Sequence, residues 1–171
     1  DLASGTRLYA SRPSGFGLED DDSEDEDPRR GQWMPGTTNT LGFIDKTRDA
    51  EGERIYRWMA LAAPFNGGPV EVVSSSLAIK RFGWTTAGTP LFSTRGDTDS
   101  EVRYQAVFED GVKTIWSGAA ANQYENPGHA LRTDGADGPV LEVDGRIYLA
   151  GDGQGADGPQ PFLDIFNLRQ Q

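Results

Sequence analysis

The chain has 171 residues, 16 of them basic and 27 acidic, for a net charge of -11; its length suffices for one ordinary domain with its own core, and its charge argues against nucleic acid or anionic lipid as the main partner. It contains no cysteine, which excludes a disulfide framework, a thiolate metal site and a cysteine nucleophile. A mean hydropathy of -0.58 and the lack of any apolar run near ~18 residues exclude a membrane-spanning helix. With 22 glycines and 10 prolines separating short apolar runs, the composition predicts an all-β body rich in turns.

Residues 1–30 differ from the rest. Pro13, Gly15 and Gly17 punctuate small and polar residues, and residues 19–27 (EDDDSEDED) hold eight acids in nine positions, which leaves -3 for the remainder of the chain. A run of like charges repels itself and buries no apolar surface, so this region reads as an extended, solvated segment. It lacks the alternating Asp-x-Asp-x-Asp-Gly spacing that wraps ligands around a calcium ion. The stretch from Thr6 to Pro13 is rich in Arg and Ser and free of acids; it resembles the end of a plastid transit peptide of an alga, which implies a plastid location, with a bacterial cytoplasm as the alternative. The Asp at position 1 implies a fragment or a processed form.

From Gly31 the sequence repeats. Trp33 and Trp84 lie 51 residues apart, and Leu41, Leu91 and Leu141 are spaced by 50 and 50; a period near 50 is that of a β-propeller blade. In the first unit Leu41 is followed by an apolar strand from Arg54 to Ala62, a turn at Asn66, Gly67 and Gly68, and a strand from Pro69 to Ser74. In the second, Leu91 is followed by an alternating run from Glu101 to Glu109, a hairpin signal at Asp110 and Gly111, and a strand from Val112 to Ser117. Asp-Gly between two such runs marks a tight hairpin because the turn requires positive φ. The third unit runs from His129 through Val143, turns at Asp144 and Gly145, resumes from Arg146 to Ala150, and after a glycine-rich loop ends in a strand from Phe162 to Leu168. The prediction is therefore antiparallel four-stranded blades over residues 31–171, a partial β-propeller of about two and a half blades, whereas a closed propeller needs at least ~4. Trp33, Trp84, Leu41, Leu91 and Leu141 are the candidate inter-blade residues, since large side chains at one place in successive units fill the space between stacked sheets.

Little points to chemistry within the chain. There is no Gly-x-Ser-x-Gly nucleophile elbow, and the one histidine, His129, follows a Pro-Gly turn and reads as an exposed loop residue. A histidine-based zinc site would need several imidazoles or cysteines. Asp152 to Asp157 (DGQGAD) matches part of a calcium-binding β-roll repeat but occurs once, and a roll needs stacked copies. No catalytic residue, cofactor or metal is expected.

The segment GDGQGADGPQPFLDIFNL, with Gly151, Gly153, Gly155, Pro161, Phe162, Leu163 and Asp164 at its key positions, resembles the propeller signature of glutamyl endopeptidases, a branch of the prolyl oligopeptidase family of serine peptidases. Tyr124 to Gly128 (YENPG) resembles the turn just upstream of it in that family. Ala63, Pro64 and Phe65 with Pro69, Val70 and Glu71 resemble a hairpin of that family, and Phe82, Gly83 and Trp84 its blade start. The matches follow the family's order from about Arg29 to Leu168. Ala156 and Asp157 stand where the family more usually has Ser-Pro. The resemblance implies a propeller that covers a hydrolase domain and filters its peptides, with the nucleophile, acid and histidine supplied by that other domain. Two functions are thus expected in parallel: a non-catalytic, substrate-gating propeller segment of such a peptidase, or a propeller-derived accessory or structural subunit of a larger protein complex.

Overall fold

The computed structural model describes residues 29–35, 39–95, 101–119, 127–135, 138–153 and 158–169. The acidic run, the stretch from Thr6 to Pro13, Gly155 and Tyr124 lie outside them. Twelve strands run in chain order: β1 (Arg29–Trp33), β2 (Thr40–Arg48), β3 (Arg54–Ala62), β4 (Val70–Ser75), β5 (Ala78–Trp84), β6 (Pro90–Arg95), β7 (Val102–Phe108), β8 (Gly111–Gly118), β9 (His129–Ala130), β10 (Glu142–Val143), β11 (Arg146–Gly151) and β12 (Phe162–Asn167). No helix among the described residues is long and apolar enough to cross a membrane.

The strands form three antiparallel sheets. The first two are four-stranded meanders in chain order, β1 to β4 and β5 to β8. The third is narrower. β12 pairs along one edge of β11, while β9 (at Leu149 and Ala150) and β10 (at Arg146 and Ile147) share the other edge end to end. The four strands of this unit thus span a width of three, because the chain between β9 and β10 leaves the sheet and doubles back on itself through the Arg132 and Val140 bridge. The tight turn between β10 and β11 carries positive φ at both Asp144 (51°) and Gly145 (73°), as a two-residue hairpin requires. At the β7 to β8 hairpin the turn residues are Glu109 and Asp110, one position earlier than the Asp-Gly pair suggests; positive φ falls on Gly111 alone.

Alternation along the strands decides how the sheets stack. Ile44, Trp58 and Val73 of the first sheet meet Ile79, Phe82, Trp84 and Phe92 of the second in one core. The opposite face of the second sheet carries Leu91 and Ala106, which meet Val140, Ile147 and Leu168 of the third unit in another core. The second sheet is therefore the middle layer, covered on both faces, and this explains why β6 has buried residues pointing both ways. The outer face of the third sheet is apolar and uncovered among the described residues: Val143, Leu163 and Ile165 are 44%, 59% and 59% exposed.

Register places Trp33 and Trp84 at equivalent positions in the first two sheets but gives them different surroundings. Trp33 pairs with Leu41 and Trp84 with Pro90. Trp84 points at the first sheet and is 3% exposed; Trp33, on the corresponding face of the first sheet, is 61% exposed and touches Phe65 edge-on at 6.1 Å. Among the described residues no sheet lies on that face of the first sheet. The leucine spacing of 50 does not mark equivalent positions. Leu41 shares the Trp33 side, whereas Leu91 pairs with Gly83 and packs toward the third sheet; a one-residue offset between the periods of 51 and 50 moves the side chain to the other face.

Candidate functional site

The described residues offer two polar constellations, and both lie where the second sheet meets the third. The first is a latch. Val140 donates its N–H to the Trp84 carbonyl at 3.0 Å and accepts from the Thr86 N–H at 2.8 Å, extending the end of β5 with a short parallel bridge. Two residues on, Glu142 reaches back. Its carboxylate Oε2 accepts from the hydroxyls of Thr85 at 2.5 Å and Thr89 at 2.8 Å, and its N–H donates to Thr86 Oγ1 at 3.0 Å. Thr85 is fully buried. A buried hydroxyl needs a partner, and a carboxylate acceptor makes the bond charge-assisted, so Glu142 joins the two sheets by chemistry that an apolar residue could not supply.

The second constellation is a cleft of about 90 Å³ between the two sheets. Its first wall is a cross-strand row. Arg81 pairs with Ser93, Ser93 with Tyr104, and Tyr104 with Trp116, so these four side chains share the face turned to the third sheet. The Tyr104 and Trp116 rings are 5.8 Å apart and tilted by 50°. A bulge at Ile115 resets the register after Tyr104, and Ile115 adds to this wall. The second wall comes from Ala130, Val140, Ile147 and Leu149, and His129 and Arg132 also border the space. No Asp or Glu is among the described residues that line it, although acids outnumber bases in the chain. Arg132 is tied to the Gly138 carbonyl at 2.6 Å. The Arg81 guanidinium makes no hydrogen bond or ion pair among the described residues. The cleft therefore combines an apolar interior with an unpaired cation at its border.

The signature segment sits elsewhere. Gly151 ends β11, where a Cβ would approach the Phe162 ring to 2.7 Å, and Gly153 holds φ of 57° at a position where a Cβ would overlap the Gln160 carbonyl. These contacts need glycine and fix the entry into β12. Phe162 is half-buried, Pro161 and Asp164 are exposed, and Leu163 projects from the outer face of the third sheet. Leu141 is half-buried and donates its N–H to the Leu131 carbonyl. The structure thus separates the signature residues from the cleft. Of the residues weighed in the sequence, Phe82, Gly83, Leu91 and His129 border it, and Arg81, Ser93, Tyr104 and Trp116 are brought together by register across bulges after Ile79 and Tyr104. Among the described residues no three His, Asp or Glu side chains form a metal-ligating group.

Comparison of the chain with protein-family models, curated proteins and solved structures returned no match.

Proposed function

We propose that the chain is a non-catalytic β-propeller segment, the substrate-gating and scaffolding part of a glutamyl endopeptidase-like serine peptidase. The observation that carries this reading is the stacking of three successive antiparallel units, each built from consecutive strands, with the middle sheet covered on both faces. Stacked antiparallel units of this kind support the reading, because a propeller is built by repeating them. The order of the signature segments from Ala63 to Asp164 supports the choice of family. The apolar outer face at Leu163 and Ile165 suits a further blade, because an exposed patch of this kind on a sheet marks a surface that something else covers.

The same face also favours a second reading, a propeller-derived accessory subunit whose outer sheet is covered by a neighbouring protein in a larger assembly. Purification of the native protein from its source under mild conditions, followed by intact mass and identification of copurifying chains, separates the two. A polypeptide several times longer that carries a Gly-x-Ser-x-Gly hydrolase domain supports the peptidase reading. A short polypeptide travelling with a stable complex supports the accessory reading and rejects the first.

A further inference from the structure

We propose that the cleft between the second and third sheets binds a small monocarboxylate with an apolar body about the size of one aromatic ring. Three features of the cleft argue for this ligand class, and none depends on the propeller reading. Its volume of about 90 Å³ is well below the several hundred Å³ of sites for drug-sized ligands, so only a small group enters. Its walls are mainly apolar, with Ile147 and Leu149 of the third sheet facing Leu91 and the half-buried rings of Tyr104 and Trp116 of the second; these surfaces favour an organic body over a hydrated inorganic ion. The border carries the unpaired Arg81 guanidinium and no carboxylate among the described residues.

The charge of the ligand follows from the same inventory. A guanidinium presents a planar fork of donors that matches one carboxylate. Ser93 and Tyr104 lie beside Arg81 in the row and add neutral hydroxyl donors. A dianion such as phosphate would need a wetter site than these mainly apolar walls provide. The ring or branched alkyl body then fills the interior against Trp116 and Leu149, and the carboxylate remains at the border with Arg81.

The test is a titration of the full chain with benzoate, benzamide and inorganic phosphate, followed by calorimetry and by NMR of the Arg81 Nε–H and Trp116 indole N–H signals. Benzoate is expected to bind saturably at one site and to move both signals. Benzamide, which keeps the ring and loses the charge, is expected to bind about tenfold to a hundredfold more weakly, the loss of one charge-assisted hydrogen-bonded contact. Arg81→Gln should lose a similar factor for benzoate with an unchanged melting temperature, because Arg81 is exposed, whereas Lys113→Gln, outside the cleft lining, should bind as the parent does. No saturable benzoate binding, equal affinity for benzamide, an unaffected Arg81→Gln variant, an equal loss in Lys113→Gln, or equal displacement of both signals by phosphate would each overturn the assignment.

Discussion

The indole of Trp84 lies against the indole of Trp58, with ring centroids 4.9 Å apart and planes at 59°, so the last residue of β5 fills the space above the middle of the first sheet. Trp58 is fully buried and also meets Phe82 at 5.2 Å. Offset and tilted aromatic contacts of this kind add to the gain from area burial alone. Replacing Trp84 by Ala is expected to destabilise the fold by about 3 to 5 kcal/mol, the usual loss for a large buried aromatic. A urea melt checks it; a loss below about 1 kcal/mol, the scale of an ordinary surface substitution, removes Trp84 from the contact between the sheets.

Gly42 is the floor of that contact. A Cβ at this position would overlap the Trp84 ring and approach the Trp58 indole nitrogen to 2.7 Å. The backbone here is ordinary strand, so the need for glycine is one of space and not of φ. Gly42→Ala should therefore destabilise by about 1 to 3 kcal/mol, the cost of overpacking a core, against the small gain that alanine normally brings to a strand. Gly67→Ala, where nothing lies within 4 Å of the added carbon, should change the midpoint little. Equal midpoints for the two variants would contradict the close approach of Trp84 to β2.

Glu142 holds the third sheet to the second. Glu142→Ala leaves the buried Thr85 hydroxyl without the acceptor it has at 2.5 Å, which should cost about 1 to 3 kcal/mol. The loss is local, so amide hydrogen exchange is the better measure: the Thr86 and Val140 N–H groups, which bridge the two sheets, should lose protection while those of β2 and β3 keep theirs. Uniform loss across all three sheets would mean that Glu142 acts on the whole fold and not as a latch.

Glu101 and Arg103 form a fork pair, Nε to Oε1 at 2.8 Å and a second nitrogen to Oε2 at 3.0 Å. The hydrogen bond from Arg103 holds the Glu101 carboxyl below its ordinary range. For a carboxylate with a lowered folded-state pKa, the stabilising contribution is present above the unfolded value and is lost as pH falls through the folded value. Both side chains are more than a third exposed, so screening keeps the effect small. A carbon-detected NMR titration should place the Glu101 midpoint below that of an ordinary Glu, and Arg103→Gln should raise it. A midpoint indifferent to that substitution would show that the pair does not form in solution.

The repeat and the strand order were legible because they are written in local patterns: the apolar run at Arg54 to Ala62, the alternating run at Glu101 to Glu109, and the glycines at positions of special backbone geometry such as Gly145. The faces were less legible. Whether Leu41 and Leu91 point the same way depends on a one-residue offset that a period near 50 does not resolve, and the exposure of Trp33 depends on what lies beside the first sheet, which its own strand does not encode. The cleft was the least legible feature. Arg81, Ser93, Tyr104 and Trp116 come from four strands, and their alignment rests on bulges after Ile79 and Tyr104 that have no distinctive residue to announce them. Thr85 and Glu142, 57 positions apart, meet only because the second and third sheets stack.

The central claim, that these sheets are the non-catalytic part of a serine peptidase, is tested most directly by labelling the native protein from its source with a fluorophosphonate, which reacts with activated serines, and mapping the labelled residue. The account predicts one labelled serine in the same polypeptide but outside these 171 residues, and no labelling of the chain expressed alone. A labelled serine within the chain, or a native protein that takes up no label at all, would contradict it.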